Sequence, residues 1–119
     1  LAAPHRASKA RHERHVATVA DRLVAAVNGG DTAAFLALFP ADGIVDDWGD
    51  RYAGVAAIRG WSDRELIGPN GVLTVSNVRA KDGEIAFDGD WKSTFFAGPG
   101  RFTLRLDGDR IREMRIAAP

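Results

Sequence analysis

The character of the sequence changes at Gly71, and this change limits the possible folds more than any other feature. Before Gly71, apolar residues recur at spacings of three and four, which is typical of amphipathic helices. After it, alternating stretches are separated by the turn sequences KDG, AGPG and DGD; the stretches are VLTVSNVRA, EIAFDGDWKSTFF, RFTLRLD and RIREMRIA. Such stretches predict antiparallel strands joined by tight turns. The chain is therefore predicted to be α+β, with helices covering one face of a curved sheet.

Three helices are predicted before Gly71. The first covers about residues 8–28 and ends at NGGD, and the second follows a suitable N-cap, Asp31, through TAAFLALF. GIVDDW and RYAG then predict a short strand pair. The third helix, VAAIRGWSDREL, would bring Ile58, Trp61 and Glu65 onto one face.

Length and charge indicate a single domain that binds neither nucleic acid nor a membrane. Residues 13–119 are predicted to form a single domain, and residues 1–12, basic and without a large apolar anchor, a flexible segment. The absence of cysteine excludes disulfides and thiol nucleophiles and favours a cytoplasmic location. Because Lys plus Arg equals Asp plus Glu at 16 each, neither nucleic acid nor a membrane is expected as a partner.

Four aspartates lie within residues 42–50, beside Trp48 and Tyr52. The spacing of these aspartates does not match a calcium-binding loop. The two histidines in HERH are three residues apart, whereas a zinc-binding helix needs them four apart. Neither a metal nor a cofactor is therefore expected. Asp42 and Asp50 adjoin glycines and suit turns. The other two aspartates are candidates for a general base in an apolar pocket.

Asp46 and Asp47 must point to opposite faces of a strand, so at most one of them faces a cavity. Alternation alone favours Asp46, because it would share a side with Ile44 and Trp48.

Three blocks of sequence, in this order, resemble the nuclear transport factor 2-like superfamily, and within it the SnoaL-like polyketide cyclase-like and steroid isomerase-like proteins. The blocks are VAAVNGGDTAAFLALFPADGIVDDWG, YAGVAAIRGW and FTLRLDGDRIREMRI, and the resemblance runs from about residue 16 to the C-terminus. It implies a cone-shaped half-barrel, in which three N-terminal helices pack on a strongly curved antiparallel sheet around an apolar cavity. It also implies that the protein dimerises through the outer sheet face.

The resemblance implies a role for Asp47, which matches the acid that moves a proton between carbons in the steroid isomerase-like members. It therefore favours Asp47 over Asp46. The oxyanion donors of those enzymes would fall at Leu23 and Phe102, and neither side chain can donate a hydrogen bond. This departure counts against steroid-type isomerisation.

The predicted site has Asp47 as its catalytic residue and a set of mainly aromatic and apolar side chains that contact the ligand. The predicted ligand-binding residues are Trp48, Tyr52, Ile58, Trp61, Glu65, Trp91, Phe102 and Met114. Three functions remain open: a cofactor-independent isomerase, cyclase or dehydratase acting on a small hydrophobic metabolite, a non-catalytic ligand-binding module, and an interaction domain that uses the sheet face. A homodimer is expected, because no later helix covers the outer face and a contiguous apolar face usually marks an interface.

Overall fold

The computed structural model describes residues 18–119, so the predicted start of the first helix and the predicted flexible segment 1–12 lie outside the described residues. The helices are α1, which is described over 18–28, α2 (Thr32–Leu36) and α3 (Val55–Trp61), which continues into a π-helical turn (Ser62–Leu66). The strands are β1 (Ile44–Asp47), β2 (Asp50–Ala53), β3 (Val72–Lys81), β4 (Glu84–Lys92), β5 (Ala97–Asp107) and β6 (Arg110–Ala117). No helix within 18–119 has both the length and the apolar character needed to cross a membrane.

All six strands form one sheet in the order β2-β1-β6-β5-β4-β3. The neighbours are antiparallel except β1 and β6, which run parallel with Ile44 opposite Glu113 and Asp47 opposite Ile116. The sheet is therefore mixed rather than purely antiparallel, because the last strand returns beside the first. Register shifts interrupt the β3–β4 and β5–β6 pairs, and such bulges bend a sheet. The predicted α+β architecture, with helices on a curved open sheet, is confirmed.

The hydrophobic core fills the space between the helices and the concave face of the sheet. Phe35 from α2, Val45 from β1 and Ile58 from α3 are completely buried within it. Phe87 and Phe102 stack on adjacent strands, with ring centroids 5.0 Å apart. Helices and strands thus share one core, which fixes the end of β1 relative to α3.

Asp42, predicted to be a turn residue, ties the segment before β1 to β6. Its carboxylate accepts hydrogen bonds from both terminal nitrogens of Arg112, at 2.6 and 3.0 Å. This paired geometry lowers the pKa of Asp42 and raises that of Arg112. The contact adds a side-chain link to the parallel β1–β6 pairing.

The outer face of the sheet carries a cluster of charges around Glu113. Three guanidinium groups lie within ion-pair distance of its carboxylate: Arg51 at 3.7 Å, Arg105 at 3.6 Å and Arg115 at 3.5 Å. Arg51 also contacts Asp46 at 3.4 Å. Glu113 is therefore a shared counter-ion for arginines from three strands.

A second charged cluster surrounds Asp88 on β4. Asn77 donates a hydrogen bond to its carboxylate at 2.9 Å, and Arg79 and Arg101 lie at 3.7 and 3.5 Å. The hydrogen bond from Asn77, aided by the two arginines, holds the pKa of Asp88 below its ordinary value. With charges at both clusters, the expectation of a contiguous apolar outer face is wrong.

Asn28, at the end of α1, supplies hydrogen bonds to the edge strand β3. Its amide Nδ2 donates to the Leu73 carbonyl at 2.9 Å, and the Leu73 N–H donates to Oδ1 at 2.7 Å. The side chain thus satisfies both backbone groups of one residue at an edge of the sheet.

We expect Asn28→Ala to lower the free energy of unfolding by about 1–3 kcal/mol, because it leaves a backbone donor and acceptor of Leu73 without these partners. Urea denaturation measures the loss. Arg22→Ala, which changes an exposed side chain of the same helix, should stay within about 0.5 kcal/mol of wild type. Equal losses in the two variants would contradict the anchoring role.

Candidate functional site

A pocket of about 480 Å³ opens between the end of β1, the π-helical turn and the β4–β5 hairpin. Its lining is mainly aromatic and apolar, and it includes all three tryptophans of the chain. The lining residues are Asp47, Trp48, Trp61, Arg64, Glu65, Leu66, Pro69, Trp91, Ser93, Phe95, Phe96, Gly98, Pro99, Gly100, Phe102 and Ile116. Within residues 18–119, no three His, Cys, Asp or Glu side chains are grouped to hold a metal ion.

Asp47 presents its carboxylate to this pocket from the last position of β1. It lies on the same strand face as the buried Val45 and opposite Ile116 of β6. Its Oδ2 accepts a hydrogen bond from the indole Nε1 of Trp61 at 3.0 Å. Of its two oxygens, only Oδ2 receives a hydrogen bond from the described residues.

Asp46 points the other way and stabilises the turn after β1. Its Oδ1 accepts from the Gly49 N–H at 2.9 Å, and its Oδ2 contacts Arg51 at 3.4 Å. Strand alternation favoured the wrong aspartate for the pocket because Trp48 does not continue the β conformation of β1. The φ of Trp48 is 53°, and its N–H donates a hydrogen bond to the Ile116 carbonyl at 2.9 Å. The left-handed backbone brings Trp48 to the pocket together with Asp47.

Trp61 connects the pocket to the core. Only 1% of it is exposed, and its ring lies 6.4 Å from that of Phe35 and 6.1 Å from that of Tyr52. A buried indole N–H requires an acceptor, and Asp47 is that acceptor. The same hydrogen bond therefore satisfies the buried indole N–H and fixes the orientation of the Asp47 carboxylate.

The π-helical turn changes which residues follow Trp61 on the buried side. Its wider hydrogen bond, from the Ile67 N–H to the Ser62 carbonyl at 2.9 Å, makes Leu66 the buried residue one turn after Trp61 and Ser62, where regular α-helical spacing from Trp61 predicts Glu65. Glu65 is exposed, although it still borders the pocket. Gly68 is required next, because a Cβ there would lie 1.7 Å from the Asp63 carbonyl oxygen.

The structure brings most of the predicted site residues to the pocket but not all of them. Those that border it are Asp47, Trp48, Trp61, Glu65, Trp91 and Phe102. Ile58 and Met114 lie in the closed core instead, and Tyr52 packs against that core beside Trp61. The pattern of apolar residues could not separate these positions, because the core and the cavity wall share the same strand and helix faces.

The predicted ligand-binding residues do not include an aromatic rim that the structure shows on the β4–β5 hairpin. Phe95 is 83% exposed and Phe96 62% exposed, and both border the pocket. The hairpin is held by Ser93, whose hydroxyl accepts from the Phe96 N–H at 3.2 Å, and by Thr94, which donates to the Pro69 carbonyl at 3.0 Å. The available signal was an FF pair directly before AGPG, which was predicted to be a turn but forms the start of β5.

No protein-family model matches the sequence, but solved structures share its fold. The chain is 23% identical to the Delta 5-3-ketosteroid isomerase of Mycobacterium sp., covering 88% of this chain and 93% of that one with a TM-score of 0.77. It is 21% identical to a Mycobacterium tuberculosis protein in complex with estradiol-17beta-hemisuccinate, covering 86% and 92% with a TM-score of 0.77. A nuclear transport factor 2-like protein of unknown function from Cytophaga hutchinsonii is 8% identical, with coverage of 82% and 84% and a TM-score of 0.73. The chain has the nuclear transport factor 2-like fold that its sequence predicted.

The hydrogen bond between Trp61 and Asp47 predicts different stabilities for two variants of the acid. Asp47→Asn keeps an acceptor for the buried indole, whereas Asp47→Ala removes it. We expect Asp47→Ala to be less stable than Asp47→Asn by about 1–3 kcal/mol in urea denaturation. Equal stability of the two variants would mean that the indole does not depend on this acceptor.

Proposed function

We propose that the protein binds a small, hydrophobic, ring-bearing metabolite in the pocket and that Asp47 acts on it as a general acid or base without a cofactor. The observation that carries the proposal is a carboxylate facing a pocket of about 480 Å³ with aromatic walls. Pockets that bind small molecules measure about 300–1,000 Å³ and combine apolar walls with few polar groups. The site has both properties.

The proposed chemistry uses the two carboxylate oxygens of Asp47 differently. Trp61 holds Oδ2, so Oδ1 is the atom that would accept a proton from a carbon next to a carbonyl group. In an isomerisation the same carboxyl group would return that proton at another carbon of the ligand. In a cyclisation or dehydration it would transfer the proton to a developing alkoxide or a leaving hydroxyl group.

The solved relatives of this fold support a ring system as the ligand. One was solved with an estradiol derivative and another is a ketosteroid isomerase, and both cover most of this chain. Ring faces suit Trp91 and Phe102, which border the pocket from neighbouring strands.

A binding module without chemistry is the second candidate, and one observation favours it. The positions where the resemblance would place oxyanion donors hold Leu23, which is 1% exposed in the core, and Phe102, which stacks on Phe87. An enolate needs hydrogen-bond donors in its transition state, and these side chains supply none.

Deuterium exchange separates the two candidates without knowledge of the natural substrate. The cyclic ketone 2-tetralone, an apolar two-ring probe with acidic C–H groups, is mixed with the protein in D₂O and followed by NMR. If Asp47 is a base, wild type should accelerate exchange, and Asp47→Asn should reduce this acceleration by a factor of about 10² to 10⁴ while the ketone still binds.

Asp46→Asn is the matched control, because it changes the adjacent acid, which faces away from the pocket. It should leave both binding and exchange near wild type. Binding of 2-tetralone without exchange above that of the buffer would favour the binding module. Exchange that Asp47→Asn leaves intact would overturn the role of Asp47.

The homodimer stays a prediction. The charges on the outer face of the sheet mean that a dimer formed through this face should depend on salt concentration. A pair formed through this face would bring together the clusters around Glu113 and Asp88. Each cluster holds more arginines than carboxylates, so we expect sedimentation at micromolar concentration to show a dimer that is weakened by repulsion at low salt and strengthened at about 1 M salt, where charges are screened within about 3 Å. A monomer at every salt concentration would contradict the dimer, and a dimer indifferent to salt would contradict this face.

A further inference from the structure

Arg64 is the one positively charged side chain among the lining residues of the pocket. It has no ion-pair partner among residues 18–119. Its guanidinium lies 5.9 Å from the centre of the Tyr52 ring, which it faces. Its Nη1 also lies 3.3 Å from where a Cβ of Gly60 would stand. The group thus lies against an aromatic face and a helix backbone without a side chain at Gly60, and no carboxylate of the described part of the chain accepts its hydrogen bonds.

Other arginines of the described chain are also unpaired, so the lack of a partner is not informative by itself. Arg22, Arg59 and Arg110 are exposed and do not border the pocket. Arg64 differs because the π-helical turn places it in the pocket lining next to Glu65 and Leu66. Single π-helical turns occur often at functional sites.

The charges around the pocket favour one position for an anionic group. Asp47 and Glu65 both repel an anion, and Arg64 attracts it. A guanidinium presents a planar pair of donors that matches a carboxylate, sulfonate or phosphate group. An acidic ligand should therefore place its anionic group at Arg64.

We infer that Arg64 binds an oxyanion substituent of the ligand, so that the ligand class is an apolar ring system bearing an acidic group. The inference rests on the proposed function, because it requires a ligand in this pocket. Trp61 is 1% exposed, whereas Trp48 and Phe95 at the rim are 58% and 83% exposed. An anion held by the exposed Arg64 would leave the ring system to fill the aromatic interior and would determine which of its atoms meet Asp47.

Two fluorescent probes with the same aromatic body test this inference. 1-Anilinonaphthalene-8-sulfonate carries an oxyanion, and N-phenyl-1-naphthylamine is its neutral counterpart. We expect Arg64→Gln to weaken binding of the sulfonate by about tenfold, as for loss of a hydrogen-bonded charge, and binding of the neutral probe by less than about twofold. Arg64→Lys should retain part of the preference, because it keeps the charge without the planar donor pair.

Two further variants assign the effect to the pocket. Arg59→Gln removes an exposed arginine of the same helix that does not border the pocket, and it should leave both affinities unchanged. Asp47→Asn removes a negative charge from the lining, and it should strengthen sulfonate binding relative to the neutral probe.

The possible failures are distinguishable. If Arg64→Gln weakens both probes equally, or Arg59→Gln matches its effect on the sulfonate, the role of Arg64 is overturned while the pocket remains a binding site. If neither probe binds wild type, the proposed apolar binding site fails, and this inference fails with it.

Discussion

The hydrogen bond from the Trp61 indole to the Asp47 carboxylate is the contact on which the arrangement of the site depends. Trp61 packs against Phe35 and Tyr52 in the core, and its polar N–H can be buried there only because an acceptor lies within 3.0 Å. That acceptor stands at the end of β1, where pairing with β6 fixes the backbone. The buried indole N–H needs an acceptor, and this need holds the Asp47 carboxylate at the wall of the pocket.

The second constraint is the π-helical turn that follows Trp61. One additional residue in this turn lets Leu66 enter the core while Arg64 and Glu65 stay at the pocket wall. The turn ends at Gly68, where a side chain would collide with the Asp63 carbonyl oxygen. A single change of helical spacing therefore gives the site both of its charged rim residues, and with them a means of orienting a ligand.

The sequence predicted the architecture well because the signals for it are local. Hydrophobic spacing and glycine-containing turns placed the helices and strands, and the order of the blocks pointed to the fold. It predicted the site less well wherever a single backbone angle or hydrogen bond decided which way a side chain points. The left-handed backbone at Trp48 interrupts the strand alternation that had favoured Asp46 as the pocket residue. The π-helical turn puts Leu66 in the buried position that α-helical spacing predicts for Glu65. The exposed rim of Phe95 and Phe96 was not among the predicted site residues, because apolar residues in a strand pattern usually indicate core.

The aromatic pocket beside Asp47 is proposed as a ligand site, and the indole N–H signals of the tryptophans report on its occupancy directly. All three tryptophans border the pocket, at depths from the buried Trp61 to the exposed Trp48. In a ¹⁵N–¹H correlation spectrum, saturable addition of 2-tetralone should shift the signals of Trp48, Trp61 and Trp91 along one binding curve. A spectrum in which only the exposed Trp48 signal moves, or in which none moves, would contradict a ligand inside the pocket.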